Sequence, residues 1–281
     1  MNGFFNIFKS SGVNSTFIVN KIKRLTKTPC GHMGTLDPMA SGVLPVAVGK
    51  STRLFDYLAD KVKVYEAEFT FGYETDTLDA TGTTINTTQT QVTEEQIRAV
   101  LGEFVGEINQ VPPKYSANNI NGRRGYELAR KGIEFELKSK KVNVFRFELK
   151  EKIADNIYTF TIECGKGTYI RSLCRDLAYR LNTLGTMSKL CRTQSGIFTA
   201  ETAISVDELE NNLEKYLIAP DTTVSYEKFY LTESQAKKIL NGVFEITHLE
   251  EGKLYRVYSP TEFFGIGKVE NGLLKIKSYC R

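Results

Sequence analysis

Histidine is nearly absent from this chain. Only His32 and His248 occur in 281 residues, too few and too far apart in sequence to build a zinc site, so no metal is expected. Cysteine is sparse too: five residues, an odd number, with no Cys-x-x-Cys pair among positions 30, 164, 174, 191 and 280. That argues against a disulfide framework and points to thiols kept reduced in the cytoplasm. No run reaches the ~18 apolar residues that a membrane-spanning helix needs. The opening Met1 to Lys9 lacks the basic-then-apolar order of a secretory signal, so neither export nor a membrane partner is expected. Neither sign of charge dominates. Lys+Arg 37 against Asp+Glu 33 leaves +4, which permits a nucleic-acid partner without demanding one. A phosphate loop is also missing, because Gly49-Lys50-Ser51 has Leu44 where the first glycine must stand.

What the chain does have is a stiff, irregular stretch from Gly31 to Pro45, Gly-His-Met-Gly-Thr-Leu-Asp-Pro-Met-Ala-Ser-Gly-Val-Leu-Pro. Glycine opens positive φ, and proline fixes φ and removes a donor, so this backbone cannot be a regular helix. In its middle sits one carboxylate, Asp37, driven towards extended backbone by Pro38. Val43, Leu44, Val46, Ala47 and Val48 then read as a buried strand. One acid held beside a buried sheet is the placement a catalytic carboxylate needs. On the residues alone, Asp-Pro is equally a common turn former.

The remaining chain alternates short helices and strands. Phe4, Phe5, Ile7 and Phe8 before Lys9 read as a first strand, and Ser10-Ser11-Gly12 as a turn. Ile18, Val19, Ile22 and Leu25 make an amphipathic helix with a basic face. Gly49 to Thr52 reads as a turn into a helix capped by Ser51 or Thr52. Lys61 to Phe71 alternates as a half-buried strand with Tyr65 on its apolar face. Glu74 to Gly82 is an acidic turn ordered by Asx turns and lacks the calcium-loop spacing. Thr93-Glu-Glu-Gln96 is a capping box. Asn121-Gly122 signals a hairpin among basic residues that include Arg123 and Arg124. Ile157 to Cys164 is a strand, and Gly165-Lys166-Gly167 turns into a helix striped by Ile170, Leu173, Cys174, Leu177 and Leu181. A glycine turn with a lysine at a helix start can hold an anion, or can be an ordinary corner. Leu190 to Gly196 is a strand and turn, and beyond about residue 230 short strands and turns take over.

The Gly31–Pro45 stretch resembles the catalytic motif of bacterial tRNA pseudouridine-55 synthases, the TruB family. The likeness extends to Thr75-Asp-Thr-Leu-Asp-Ala-Thr-Gly82, to Val111-Pro-Pro-Lys-Tyr-Ser-Ala117, to Lys166-Gly-Thr-Tyr-Ile-Arg171 and to Leu190-Cys-Arg192. Met33 and Ser10 depart from the family's usual threonine and proline. The resemblance implies an α+β fold: a mixed, largely antiparallel sheet with helices, plus a small C-terminal PUA-like β-barrel. It implies a catalytic domain over 1–228, with a tRNA-gripping insertion near 110–145, and an RNA-binding domain over 229–281. It makes Asp37 the catalytic acid and Arg171 its charge partner. His32, Tyr65, Tyr169 and Leu190 become substrate contacts, with Lys9, Arg123 and Lys166 on the RNA. The expected partner is the tRNA T-arm, used by a monomer without a guide RNA. Isomerisation changes no oxidation state and imports no group, so no cofactor is expected.

Three rival readings fit the same surfaces. A tRNA-folding protein would bind without chemistry and would not need Asp37. A nucleosidase or glycosidase would need a second acid opposite it. The guide-dependent relative of the same catalytic domain would lack a tRNA-gripping insertion of its own.

Overall fold

Packing begins at the first strand, β1 (Gly3–Lys9), which the apolar pattern foretold. In the computed structural model the described residues are 1–58, 61–120, 122–240, 243–245 and 249–280, so Asn121 and His248 lie outside them. The chain divides into two compact units. One comprises Met1–Pro38, Gly42–Lys61 and Ser195–Arg281, and the other Met39–Ser41 and Val62–Gln194.

In the first unit β1 is followed by α1 (Ser15–Thr26), whose N-cap Asn14 accepts the Thr16 amide at 2.8 Å and whose Ile18 and Ile22 are buried. Then come β2 (Cys30–His32) and β3 (Ser41–Val48). β1 and β2 both pair antiparallel with β3, placing Phe5 and His32 against Val46. The expected Ser51 or Thr52 cap is corrected here. Gly49–Leu54 is a 3₁₀ turn with no side-chain cap, and the Thr52 hydroxyl instead donates to the Gly49 carbonyl at 2.9 Å. The turn already begins at Gly49, with Val48 at its N-cap position, so Ser51 and Thr52 fall inside it. Its first amides are held by Pro29 O (Gly49 N, 2.7 Å) and Asn2 Oδ1 (Lys50 N, 2.9 Å). Gly49 itself sits at φ +64, with the Met1 carbonyl 2.4 Å from where a Cβ would be, so only glycine fits.

The second unit opens with β4 (Lys63–Phe71), whose Tyr65, Ala67, Phe69 and Phe71 are buried as alternation requires. The hairpin of β5 (Tyr73–Thr75) and β6 (Thr84–Thr87) brackets the acidic turn. α2 (Glu94–Leu101) carries the expected capping box, with Thr93 and Gln96 exchanging side-chain bonds. β7 (Gly106–Gln110) then leads out to a small hairpin of β8 (Asn119–Ile120) and β9 (Arg123–Arg124) and to α3 (Gly125–Arg130). The chain returns as β10 (Lys140–Ala154), turns into β11 (Ile157–Cys164), forms α4 (Ile170–Arg180) and ends on β12 (Gly185–Ser195). The sheet order is β12-β4-β11-β10-β7, and β4, β11, β10 and β7 pair antiparallel. Phe69, Phe147 and Phe160 cluster at the centre with tilted rings, Phe160 lying 4.7 and 5.4 Å from the other two.

The first unit resumes with β13 (Phe198–Thr199), α5 (Val206–Asn211), α6 (Leu213–Tyr216), β14 (Glu227–Tyr230), α7 (Glu233–Leu240), β15 (Val243–Glu245), β16 (Leu254–Tyr258), β17 (Phe263–Glu270) and β18 (Leu273–Tyr279). The last five strands form a mixed sheet in the order β14-β16-β17-β18-β15, with β14 parallel to β16. Among the described residues this path has two ends and does not close into a barrel. Leu231, Ile239, Tyr255, Val257, Phe264 and Leu274 are its own core. A second cluster joins Phe4, Val43 and Leu54 to Phe198, Ile266 and Cys280. Asn2 Nδ2 also donates to Cys280 O at 3.0 Å. The end of the chain is therefore packed into the same compact unit as its beginning.

Burial sets an alkaline limit on stability. The Cys164 thiol is fully enclosed and is pushed up from 9.0 to about 11 by desolvation. Tyr258 rises from 10.0 to about 12 through burial and then its bond to Asp221. Each group holds its proton more tightly when folded. Its stabilising effect is therefore complete below the unfolded pKa and is lost as pH climbs towards the folded one. Urea unfolding free energy should fall steadily above about pH 9. A constant value from roughly pH 9 to 11 would contradict this account.

Candidate active site

The Asp37 loop runs between β2 and β3 and is pinned on both sides of the acid. Before it, Leu36 is buried, and the Ser15 hydroxyl both donates to the Leu36 carbonyl at 2.7 Å and accepts its amide at 3.0 Å. After it, the Pro38 carbonyl accepts the Gly12 amide at 2.8 Å and the Lys9 ammonium at 3.2 Å. The end of β1, the turn after it and the first residue of α1 thus supply these anchors. Asp37 itself is half-buried. His32 is half-buried at the end of β2, where the loop begins.

Lys9 needs correction as an RNA contact. It is 0 % exposed, and its ammonium donates to the carbonyls of Ser10 (3.1 Å), Val13 (2.7 Å) and Pro38. Three donors turned inward onto carbonyls leave nothing to offer a phosphate. Its role is to fix the loop that carries Asp37.

The second unit holds the other expected residues. Tyr65 is 7 % exposed on β4, opposite Ile162 of β11, and Leu190 is 8 % exposed on β12. Lys63 lies two residues before Tyr65 on the same face, its ammonium pushed down by burial and then by the Arg192 guanidinium. Lys166, in the turn after β11, and Arg123, on β9, are exposed and available to a ligand.

Tyr169 is the N-cap of α4, and Arg171 stands in that helix's first turn. Arg171 is 4 % exposed. Its Nη1 donates to Thr77 O at 2.9 Å, and its Nη2 donates to Tyr115 O at 3.1 Å. Asp79 Oδ2 lies 3.6 Å from Nη1, a buried ion pair. The other Asp79 oxygen accepts from Thr77 Oγ1, Thr81 N and Thr81 Oγ1 at 2.6 to 3.0 Å. Leu78, at φ +63, lets the turn bridge to Met187 of β12 on both sides. Neighbouring Asp76 accepts the Thr83 amide and the Tyr115 hydroxyl. The acidic turn is ordered by Asx bonds as expected, and it also feeds a carboxylate to Arg171. That second task was missed from the sequence. The available signal was a carboxylate flanked by Thr77 and Thr81, both able to fix its rotamer.

Comparison with known proteins places these residues in a family context. The family model described as TruB family pseudouridylate synthase, N terminal domain, matches residues 22–170. The model described as tRNA pseudouridylate synthase B C-terminal domain matches residues 171–231. The chain is 41% identical over 289 residues to tRNA pseudouridine synthase B of Clostridium perfringens (strain 13), covering 99% of this chain and 98% of that protein. It is 41% identical to the protein of the same name in Clostridium kluyveri, covering 95% of each. Among solved structures, a Cbf5-Nop10-Gar1 complex contains a chain that superposes with a TM-score of 0.73 at 25% identity, covering 99% of this chain and 85% of that one. A chain of an H/ACA RNP bound to a substrate RNA containing 2'-deoxyuridine superposes with a TM-score of 0.71 at 24% identity, covering 99% of this chain and 85% of that one, and shows likeness of fold.

Proposed function

The chain belongs to the TruB family of pseudouridylate synthases, and we propose that it isomerises the T-loop uridine at position 55 of tRNA. The observation that carries this reading is Asp37, a single carboxylate on a loop whose neighbouring carbonyls at Leu36 and Pro38 are both tied down. In the reaction the N1–C1′ bond breaks, the uracil turns, and a C5–C1′ bond forms, the C5 proton being lost and N1 taking one up. Attack on C1′ and removal of a ribose proton both begin from an ionised carboxylate. Arg171 is assigned the charge that keeps Asp37 in that form. A base inside a folded loop must first be flipped out, and His32 is assigned to fill its place. Tyr65 and Tyr169 offer the flat rings on which the base stacks, Leu190 lines the pocket, and Tyr65 takes part in removing the C5 proton.

We assign the chemistry to residues 1–228 and a PUA-like RNA-binding role to residues 229–281. Supporting the latter, exposed Tyr230 stacks on Tyr258 at 5.1 Å. Exposed Arg123 and Lys166 belong on the RNA. The insertion after Gln110, with exposed Arg123, Arg124 and Lys138, gives the chain its own means of holding tRNA. The reading is therefore of a stand-alone cytoplasmic monomer that uses no guide RNA. A tRNA transcript labelled with [5-³H]uridine should release tritium on incubation with the protein, and a transcript with cytidine at the T-loop position should not. Tight binding without release would leave only the tRNA-folding reading.

A further inference from the structure

Gln110 is the last residue of β7 and pairs with Lys140, the first of β10, so these two close the neck of the 111–139 insertion. Its side chain is turned inward and is 1 % exposed. The Gln110 amide donates through Nε2 to the Tyr169 carbonyl at 3.2 Å and accepts the Tyr169 amide on Oε1 at 2.8 Å. A side-chain amide that gives and takes with one residue's backbone acts as a strand partner. It fixes the residue's position and the direction of its peptide groups together.

The contact continues along the same segment. The Val111 carbonyl accepts from Ser172 Oγ at 2.9 Å and Arg175 Nη2 at 3.0 Å, and the Tyr115 carbonyl accepts from Arg171 Nη2 at 3.1 Å. Pro112 and Pro113 between them are buried, and their fixed φ angles stiffen the link. The first turn of α4 therefore rests on the root of the insertion that carries the exposed cations.

We propose that Gln110 is a positioning residue for the isomerisation: its amide sets Tyr169 and, through the root segment, Arg171. This rests on the tRNA isomerase reading above. Gln110 touches no reacting atom, so its effect belongs in the turnover step and not in RNA affinity. A displacement of about 1 Å at a reacting group can cost roughly 100-fold in rate.

The test compares wild type, Gln110→Ala and Gln110→Glu in single-turnover tritium release at saturating tRNA, with affinity measured by filter binding. Gln110→Ala should slow release about 10- to 100-fold while affinity changes less than about threefold. Gln110→Glu adds a chemical readout. Its carboxylate can accept from the Tyr169 amide but cannot donate to the Tyr169 carbonyl, whereas the neutral acid does both. Burial raises that carboxyl's pKa, so the Glu variant's rate relative to wild type should recover as pH falls from roughly 8 to 6. A folding defect does not give this reversal, so the Glu profile decides if the Ala variant is unfolded. Release by Gln110→Ala within about twofold of wild type, or a Glu-to-wild-type ratio flat with pH, overturns the proposal alone. Wild-type protein that releases no tritium overturns the isomerase reading, and this proposal with it.

Discussion

Asp37→Asn should bind tRNA as wild type does and release no tritium, a loss of at least about four orders of magnitude in turnover. The amide has nearly the shape of the acid but neither its charge nor its basicity, so attack on C1′ and removal of a ribose proton are both closed to it. The loop should survive the change, because its anchors from Ser15, Gly12 and Lys9 go to the backbone of Leu36 and Pro38. Retained binding then separates chemistry from folding. The same experiment sorts the rival readings. A tRNA-folding protein would be indifferent to the substitution, and a nucleosidase would yield free uracil without releasing the C5 tritium. Asp37→Asn protein with wild-type release would remove the carboxylate from the mechanism.

Much of this arrangement was legible in the sequence wherever a local pattern carried it. The period of Ile18 and Ile22 marked α1, alternation through Tyr65, Ala67 and Phe69 marked β4, and Thr93 with Gln96 marked the start of α2. The Asp37 loop announced itself through glycines and prolines that no regular element tolerates. What stayed hidden depended on partners distant in the chain. Lys9 at the end of a strand reads as a solvated cation, and only the fold wraps it in the carbonyls of Ser10, Val13 and Pro38. A lone glutamine has no pattern at all, so Gln110 gained meaning only when Tyr169 arrived beside it. The Ser51 and Thr52 caps failed because the turn starts earlier, at Gly49, where Asn2, far upstream, takes the Lys50 amide, and both residues fall inside it. The grouping of the chain's two ends was likewise invisible, since Phe4 and Ile266 enter one apolar cluster from opposite ends of the sequence. Local physics gives elements and turns, whereas long-range polar contacts decide which charged side chains face water.

Asp79→Ala should be the most damaging change in the second unit outside Tyr65, Tyr169 and Arg171. It withdraws a carboxylate from a guanidinium in a pair whose side chains are only 5% and 6% exposed. Removing one member of a buried pair costs about 3–5 kcal/mol, because the surviving charge keeps its desolvation penalty. The lost acceptor also releases Thr77 Oγ1 and both Thr81 donors. The turn then loosens at Thr77, whose carbonyl is itself an Arg171 partner. A fall in the urea midpoint and a roughly 100-fold slower tritium release are therefore expected together. Asp79→Asn separates the turn from the charge. Its amide oxygen can still accept from Thr77 and Thr81, so it should be about 1–2 kcal/mol more stable than Asp79→Ala. It still leaves the Arg171 guanidinium buried without its carboxylate. The charge is gone in both variants, so the slow release should persist. Added salt should not change the stability gap between Asp79→Asn and wild type, since a pair this enclosed is poorly screened. An Asp79→Ala protein with wild-type midpoint and rate would show that the carbonyls of Thr77 and Tyr115 hold Arg171 without the carboxylate. The acidic turn would then matter for its shape and not for its charge.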